Sequence, residues 1–320
     1  MTAHVRYDWK VAEVRALHDL PLFELVDRAR QIHAAFHPRH QIQLCSLLSV
    51  KTGGCAEDCG YCSQSSHHPS SVKPQAMLRL EEVVQGARRA KELGATRFCM
   101  GAAWREVKDG PAFERVLDMI RAVKQLGLET CVTLGMLDRE QAFRLKEAGL
   151  DTYNHNLDTS REYYPSVVST RTFDERLATL RYVREAGIGV CCGGILGMGE
   201  SIEDRCSLLV ELSCLRPHPD SVPINGLVPI PGTPLGGQPP LDAVDYLRMI
   251  ATARIVMPHS KVRLSAGRSQ LSREAQLFCL YAGANSIFYG DELLTTPNSG
   301  PDFDRAMLEE AGLTALPPAV

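Results

Sequence analysis

Cysteine is the residue of this chain most able to do chemistry: there are eleven in 320 residues. Three of them, Cys55, Cys59 and Cys62, stand together in KTGGCAEDCGYCSQSS, residues 51–66. Thiolates are soft ligands for zinc and for iron-sulfur clusters. A closed structural zinc site or a closed cubane takes four protein ligands. Three thiols on one loop therefore predict either a zinc site completed by His67 or His68, or a 4Fe-4S cluster with one iron open to an exchangeable small molecule. Structural zinc ordinarily staples a small domain, and a chain of this length can bury a large core without one. Gly53, Gly54 and Gly60 would let the loop wrap a compact object.

The other cysteines divide into two groups. A lone buried cysteine is usually a small packed hydrophobe, and Cys45, Cys206, Cys214 and Cys279 are read that way. Cys99, Cys131 and the adjacent pair Cys191 and Cys192 fall on predicted strands, and thiols converging in one interior make a second metal site plausible. Arg263, in VRLSAGR, is an odd companion. An inward-pointing guanidinium is costly unless it meets negative charge, which a thiolate-ligated cluster would supply. Successive strand residues face opposite sides. One of Cys191 and Cys192 can therefore aim inward, and the pattern alone leaves open which. The same rule puts Asn154 and Asn156 on one side and His155 on the other, in a satisfied structural hydrogen bond.

The elements that must position these residues are legible in a repeated junction. KELGATRFCM, KQLGLETCVTL, KEAGLDTYNHN, REAGIGVCCGG and YAGANSIF each run from a charged amphipathic helix through glycine into a short apolar segment. Glycine in the left-handed conformation stops a helix, and strands alternating with helices predict parallel β/α units. With 44–50, 221–228 and 261–267, eight strands result, the count of a (β/α)8 TIM-type barrel of the α/β class. Residues 1–40 are expected to be a helical N-terminal extension, 41–295 the barrel and 296–320 a short tail packed on it, one domain overall. In such barrels chemistry sits on the loops after the strands, which is where the unusual residues fall.

The composition excludes several classes. Apolar residues make up 44%, charged residues 23% and the formal net charge is -3. There is no block of like charge, no low-complexity tract and no apolar run near the ~18 residues of a membrane span. Neither nucleic acid nor membrane is an expected partner. MTAHVRYDWK lacks a signal-peptide pattern, so a cytoplasmic, reducing location is expected, where thiols are ligands or catalysts rather than disulfides.

The pattern C-x3-C-x-aromatic-C after the first strand, here Cys55, Cys59, Tyr61 and Cys62, resembles the signature of the radical S-adenosylmethionine enzymes. The pattern G-x-I-x-G-x-x-E, here Gly193, Ile195, Gly197 and Glu200, resembles the fifth-strand motif that lines the adenine in that family. It is not the G-x-G-x-x-G of a dinucleotide loop. FCMGAAW, YNHNLDTS, CCGGILGMGE, VPINGL, VRLSAGR and GANSIFYGDELLTTPN, in that order, narrow the resemblance to the sulfur-inserting, biotin-forming branch, from about residue 8 to about residue 315.

The resemblance implies that Cys55, Cys59 and Cys62 hold a 4Fe-4S cluster whose open iron binds S-adenosylmethionine and cleaves it to a 5′-deoxyadenosyl radical. It implies a 2Fe-2S cluster on Cys99, Cys131, Cys191 and Arg263 as sulfur donor, and so selects Cys191 over Cys192, although this family usually has serine where Cys192 stands. It assigns Tyr61, Ala102, Ala103, Asn156, Asp158, Arg176 and Ile195 to S-adenosylmethionine, and Asn154, Asn156, Asn225, Thr295 and Thr296 to dethiobiotin. Neutral amides suit a cyclic urea; without the resemblance, the same asparagines could equally be turn formers. No residue is expected to act as acid or base, because the target C–H bonds are unactivated. A flavodoxin-type reductant, the iron-sulfur assembly machinery and a homodimer are the implied partners. Other readings are another radical S-adenosylmethionine enzyme, of sulfur-inserting or maturase type, or a non-catalytic zinc or iron-sulfur protein. A lipoyl synthase would need a second close cysteine triplet, and carriers usually close the cluster with four cysteines.

Overall fold

The computed structural model describes residues 5–317; residues 1–4 of the expected extension and 318–320 of the tail lie outside the described residues. Two helices come first, α1 (Val11–His18) and α2 (Leu22–Phe36), before strand β1 (Gln41–Lys51). Then α3 (Leu80–Glu92), β2 (Arg97–Ala102), α4 (Pro111–Gln125), β3 (Glu129–Thr133), α5 (Arg139–Glu147) and β4 (Thr152–Asn154) alternate. They are followed by α6 (Phe173–Glu185), β5 (Gly189–Cys191), β6 (Gly194–Leu196), α7 (Ile202–Cys214), β7 (Ser221–Gly226), α8 (Ala243–Val256) and β8 (Lys261–Leu264). The chain ends with α9 (Arg273–Tyr281), β9 (Ser286–Phe288), α10 (Pro301–Glu310) and β10 (Thr314–Ala315).

All strand pairings are parallel from β1 round to β9, and β1 pairs with β9, so the sheet closes on itself as a (β/α)8 barrel. The five glycines read as helix stops have positive φ: Gly94 99°, Gly127 77°, Gly149 94°, Gly187 71° and Gly283 129°. Each is a left-handed or otherwise positive-φ position that a β-carbon would strain. Helix faces follow the expected spacing: α4 buries Phe113, Val116, Leu117, Ile120 and Val123, an i, i+3, i+4, i+7 stripe turned to the sheet.

Three features differ from the sequence reading. The fifth barrel strand is broken into β5 and β6, both lying beside β7, and at the break Gly193 lies so close to β7 that a Cβ would come within 1.9 Å of Pro223 O. The first strand begins earlier than predicted, where Gln41 and Ile42 pair with β10 in the tail. Cys214, read as buried, is exposed, being the last residue of α7. Cys206 and Cys279 do pack in the core between helices and barrel.

The flanking segments are fixed by buried polar contacts. Arg248 Nη1 donates to His18 O at 2.6 Å and Leu20 O at 2.8 Å, holding the turn between α1 and α2 against α8. Arg268 grips Asp304 of α10 through two bonds of 2.8 and 2.6 Å, the bidentate geometry that makes arginine–carboxylate pairs specific. On α2, His33 is buried and neither ring nitrogen has a partner; burial pushes its pKa down from 6.5 to about 3. The folded state therefore refuses a proton that the unfolded chain accepts. Stability should be full above pH 6.5 and fall between there and about 3, by on the order of a few kcal/mol. In His33→Leu that stretch of a denaturant-midpoint curve should flatten; an unchanged acid limb would refute the assignment.

Candidate functional site

One cavity of about 330 Å³ opens at the carboxyl ends of the strands, within the ~300–1,000 Å³ typical of small-molecule sites. Its wall includes both thiol sets, Cys55, Cys59 and Cys62 above, and Cys99, Cys131, Cys191 and Arg263 below. Tyr61, Ala102, Ala103, Asn156, Asp158, Arg176 and Ile195 also line it, as do Asn154, Asn225, Thr295 and Thr296. Every residue assigned above to a cluster, to S-adenosylmethionine or to dethiobiotin therefore meets this space, whereas of the G-x-I-x-G-x-x-E pattern only Ile195 does.

The cysteine loop after β1 is shaped by Gly53 and Gly54, with φ of 70° and 68°. Cys55 N donates to Gln64 O at 2.9 Å and Ser66 N to Cys55 O at 2.7 Å, so the loop closes on itself. Burial pushes the Cys59 thiol up to about 12 and Cys62 up to about 11, and raises Cys55. Opposing this, backbone N–H groups of Glu57 reach Cys55, and those of Gln64 and Ser65 reach Cys62. N–H groups aimed at sulfur favour thiolate and tune cluster potentials, so the loop fits a thiolate-held cluster. The two histidines of the zinc alternative both turn to carbonyls of the loop itself. His67 Nε2 sits 3.1 Å from Ala56 O, and His68 Nε2 3.0 Å from Cys59 O.

Arg171 was missed. Its Nη2 is 3.6 Å from Cys59 Sγ, its Nη1 3.6 Å from the buried Glu57 carboxylate, and its Nε donates to Tyr164 OH at 3.1 Å. It places a cation against the Cys59 thiol. Its only signal was position just before the Thr172 cap of α6, too weak to find it. Lys51 was also missed; its Nζ donates to Ala103 O at 3.2 Å, occupying a carbonyl expected to face S-adenosylmethionine.

Several assigned side chains are already engaged. Asp158, at φ 67°, accepts from Tyr61 OH at 2.9 Å and from Arg176. Arg176 Nε donates to Tyr164 OH at 2.8 Å and Nη1 to Asn156 O at 2.5 Å. Asn225 spans two backbone groups, Nδ2 to Gly194 O at 2.9 Å and Oδ1 from Ala266 N at 3.2 Å. Asn154 Nδ2 donates to Asn156 Oδ1 at 3.2 Å and Cys191 Sγ at 3.3 Å. Asn156 Oδ1 also accepts from Gly193 N at 3.1 Å. Thr295 Oγ1 lies 3.0 Å from Ser63 Oγ, tying the segment after β9 to the cysteine loop. Glu200 turns back to its own loop, accepting from Gly197 N at 2.9 Å and Met198 N at 2.7 Å.

His155 departs from expectation. It is buried with Nε2 lacking a hydrogen bond, and it lines the same cavity as Asn154 and Asn156, because β4 ends at Asn154 and strand alternation no longer governs the next residue. Burial drives its pKa well below the ordinary value, and Arg176 and Arg171 add to this. It is therefore neutral.

Inside the barrel, Cys99 and Cys131 are register partners across β2 and β3, and Asn154 and Cys191 across β4 and β5. Cys191 faces the interior thiols while Cys192 packs among hydrophobic residues outside. The Cys131 thiol is shared between Cys191 and Cys99 and is pushed up, while Cys191, accepting from it, is held well below the usual range. Arg263 Nε donates to Ser286 Oγ at 3.0 Å and Nη1 points at Cys191 Sγ at 3.8 Å. Cys45 corrects the sequence reading: it belongs to this interior group and not to the packed core, because β1 turns Gln43, Cys45 and Leu47 inward. Below it Arg97 is fully buried with Nε and Nη1 unpartnered. Arg97 Nη2 is ion-paired with Glu129, whereas the hydrogen-bond partners of Arg263 are Ser286 and thiols, so the buried Arg263 guanidinium favours anionic charge in this chamber.

Residues 49–212 match the Radical SAM superfamily, and residues 223–314 the Biotin and Thiamin Synthesis associated domain. The chain is 68% identical to a biotin synthase of Sorangium cellulosum (strain So ce56), over 98% of this chain and 90% of that one. It is 57% identical to a biotin synthase of Myxococcus xanthus (strain DK1622), over 98% and 91%. Among solved structures, methylornithine synthase (PylB) superposes with a TM-score of 0.80 at 21% identity, covering 98% of this chain and 95% of that one. The FeFe-hydrogenase maturase HydG from Carboxydothermus hydrogenoformans gives 0.81 at 18%, covering 96% and 76%. These two show the fold. The sequence relatives and the matched family models place the chain in the biotin synthase family of radical S-adenosylmethionine enzymes.

Proposed function

We propose that the chain closes the thiophane ring of biotin by inserting sulfur into dethiobiotin. The observation that carries this reading is one cavity walled by an upper loop of three cysteines and a lower chamber of three more with Arg263. Cys55, Cys59 and Cys62 would hold a 4Fe-4S cluster, and Cys99, Cys131, Cys191 and Arg263 a 2Fe-2S cluster. When bound, these groups with S-adenosylmethionine supply radical abstraction of unactivated hydrogens and the sulfur itself.

The chain's own residues bind, orient and shield. Arg176 and Asp158 present charge of both signs beside Tyr61, suited to the carboxylate and ribose of S-adenosylmethionine. Ile195 and the backbone at Ala102 and Ala103 complete that subsite. Asn154 and Asn225 are locked by bonds to backbone and thiol, so their orientation is fixed before a cyclic urea arrives, which lowers the ordering cost of binding. Asn156 keeps its amide N–H groups without a protein acceptor, and Thr296 flanks the carboxylate end beside Thr295. The reading needs no side chain as acid or base, because the hydrogens to be abstracted are unactivated. A flavodoxin-type reductant, iron-sulfur assembly machinery, a homodimer and a cytoplasmic location go with this reading.

The test is anaerobic incubation of the reconstituted chain with dethiobiotin, S-adenosylmethionine and a flavodoxin-type reductant, with products weighed by mass spectrometry. Biotin should appear together with 5′-deoxyadenosine, one abstraction for each C–S bond. Deoxyadenosine without biotin would overturn the sulfur-insertion reading while leaving the radical chemistry standing.

A further inference from the structure

The interior chamber holds a fourth thiol. Cys45 is fully buried, and its surroundings are polar: Arg263 Nη2 at 3.3 Å, Ser286 Oγ at 3.4 Å and Gln43 Oε1 at 3.5 Å. Cysteines that serve as packing in this chain, such as Cys192, Cys206 and Cys279, sit among alkyl and aromatic groups. Cys45 instead clusters with Cys99, Cys131 and Cys191. Its register partner across β1 and β2 is Arg97, so guanidiniums stand on two sides of it. A single guanidinium, that of Arg263, reaches both Cys45 Sγ at 3.3 Å and Cys191 Sγ at 3.8 Å.

We propose that Cys45 is a reserve thiolate ligand of the inner cluster, taking the coordination position of Arg263 when the guanidine leaves it. The inference rests on the reading of the chamber as a 2Fe-2S site. Iron prefers soft sulfur, and thiolate is its ordinary protein donor in such clusters. A guanidine donates only after losing a proton that it holds up to pH values above ~12. The exchange balances: the Cys45 S–H proton passes to the departing guanidine, an iron–nitrogen bond breaks and an iron–sulfur bond forms, with no electron moved. The freed guanidinium stays paired, because Ser286 Oγ already accepts from its Nε at 3.0 Å.

The test uses the full-length chain reconstituted with iron and sulfide, as wild type, Arg263→Leu, Cys45→Ser and the double variant. Iron and acid-labile sulfide per chain are measured together with Mössbauer and resonance Raman spectra. Arg263→Leu should keep the inner iron and sulfide, with iron–sulfur stretching bands shifted to an all-thiolate pattern, and adding Cys45→Ser should lose them. The same content and the same bands in both variants would overturn the proposal, as would loss of the inner cluster from Arg263→Leu while Cys45 is present. Undiminished absorption of the loop cluster certifies folding, and if Arg263→Leu precipitates, Arg263→Gln makes the same comparison. Equal iron and sulfide in wild type and Cys131→Ala would instead remove the inner cluster itself, an outcome separate from a wrong role for Cys45.

Discussion

Cys131→Ala should reduce biotin formation to background while the loop cluster keeps its visible absorption and its capacity to cleave S-adenosylmethionine. Cys131 is the middle thiol of the interior group, sharing its hydrogen with Cys191 and Cys99. It lies on β3, whereas Cys55, Cys59 and Cys62 belong to the loop after β1. Its removal deletes a sulfur at the floor of the cavity and leaves the mouth intact. The packing cost is small, about 1 kcal/mol for a modest change inside a closed barrel, so the chain should remain folded. Cys59→Ala is the complement. It should abolish 5′-deoxyadenosine and biotin together, since the thiol beside Arg171 belongs to the upper set. Product mass spectrometry and absorption spectra on both variants decide the matter. Loss of both clusters in Cys131→Ala would mean that the interior thiols hold the fold rather than the sulfur source.

How much of this could be read from the chain depended on whether a residue's role is local. The glycine stops were legible because a positive φ after a helix is a local demand, and all five carry it. With three further apolar segments they led to the barrel count, but closure did not follow, since pairing of β1 with β9 joins segments far apart in the chain. The cysteine loop was legible because its three thiols are neighbours in sequence. Arg171 was not, because it reaches Cys59 from another element across the mouth. Cys45 was misjudged for the same reason. Its sequence context, QLCSLL, is that of an ordinary strand, and only the barrel brings Arg263 and Ser286 onto its sulfur. The asparagines show the converse. Their place at the strand ends was readable, yet the structure spends much of their hydrogen-bonding capacity on backbone, which no local pattern announced.

Arg176→Leu should destabilise the folded chain by about 3–5 kcal/mol and also abolish saturable binding of S-adenosylmethionine. The pair it breaks is buried, with side chains 4% and 2% exposed. Removing one partner of such a pair leaves an uncompensated charge in a poorly solvated place. Asp158 would be left with Tyr61 OH at 2.9 Å as its remaining side-chain donor. It cannot readily turn away, because its φ of 67° is fixed where Asp158 O accepts from Ile195 N at 2.8 Å. Arg176 Nη1 also donates to Asn156 O at 2.5 Å, so its loss frees the segment that carries the asparagines. Adding Asp158→Asn removes the stranded charge. The double variant should recover most of the lost stability, since asparagine tolerates the left-handed conformation and the Tyr61 hydroxyl can still donate to its amide oxygen. It should not recover the ligand, because both charges that would meet S-adenosylmethionine are gone. Denaturant midpoints separate the two effects from calorimetric titrations of the reconstituted protein. A wild-type midpoint for Arg176→Leu would show that the pair is not structural, and wild-type affinity in the double variant would remove Arg176 and Asp158 from the cofactor subsite.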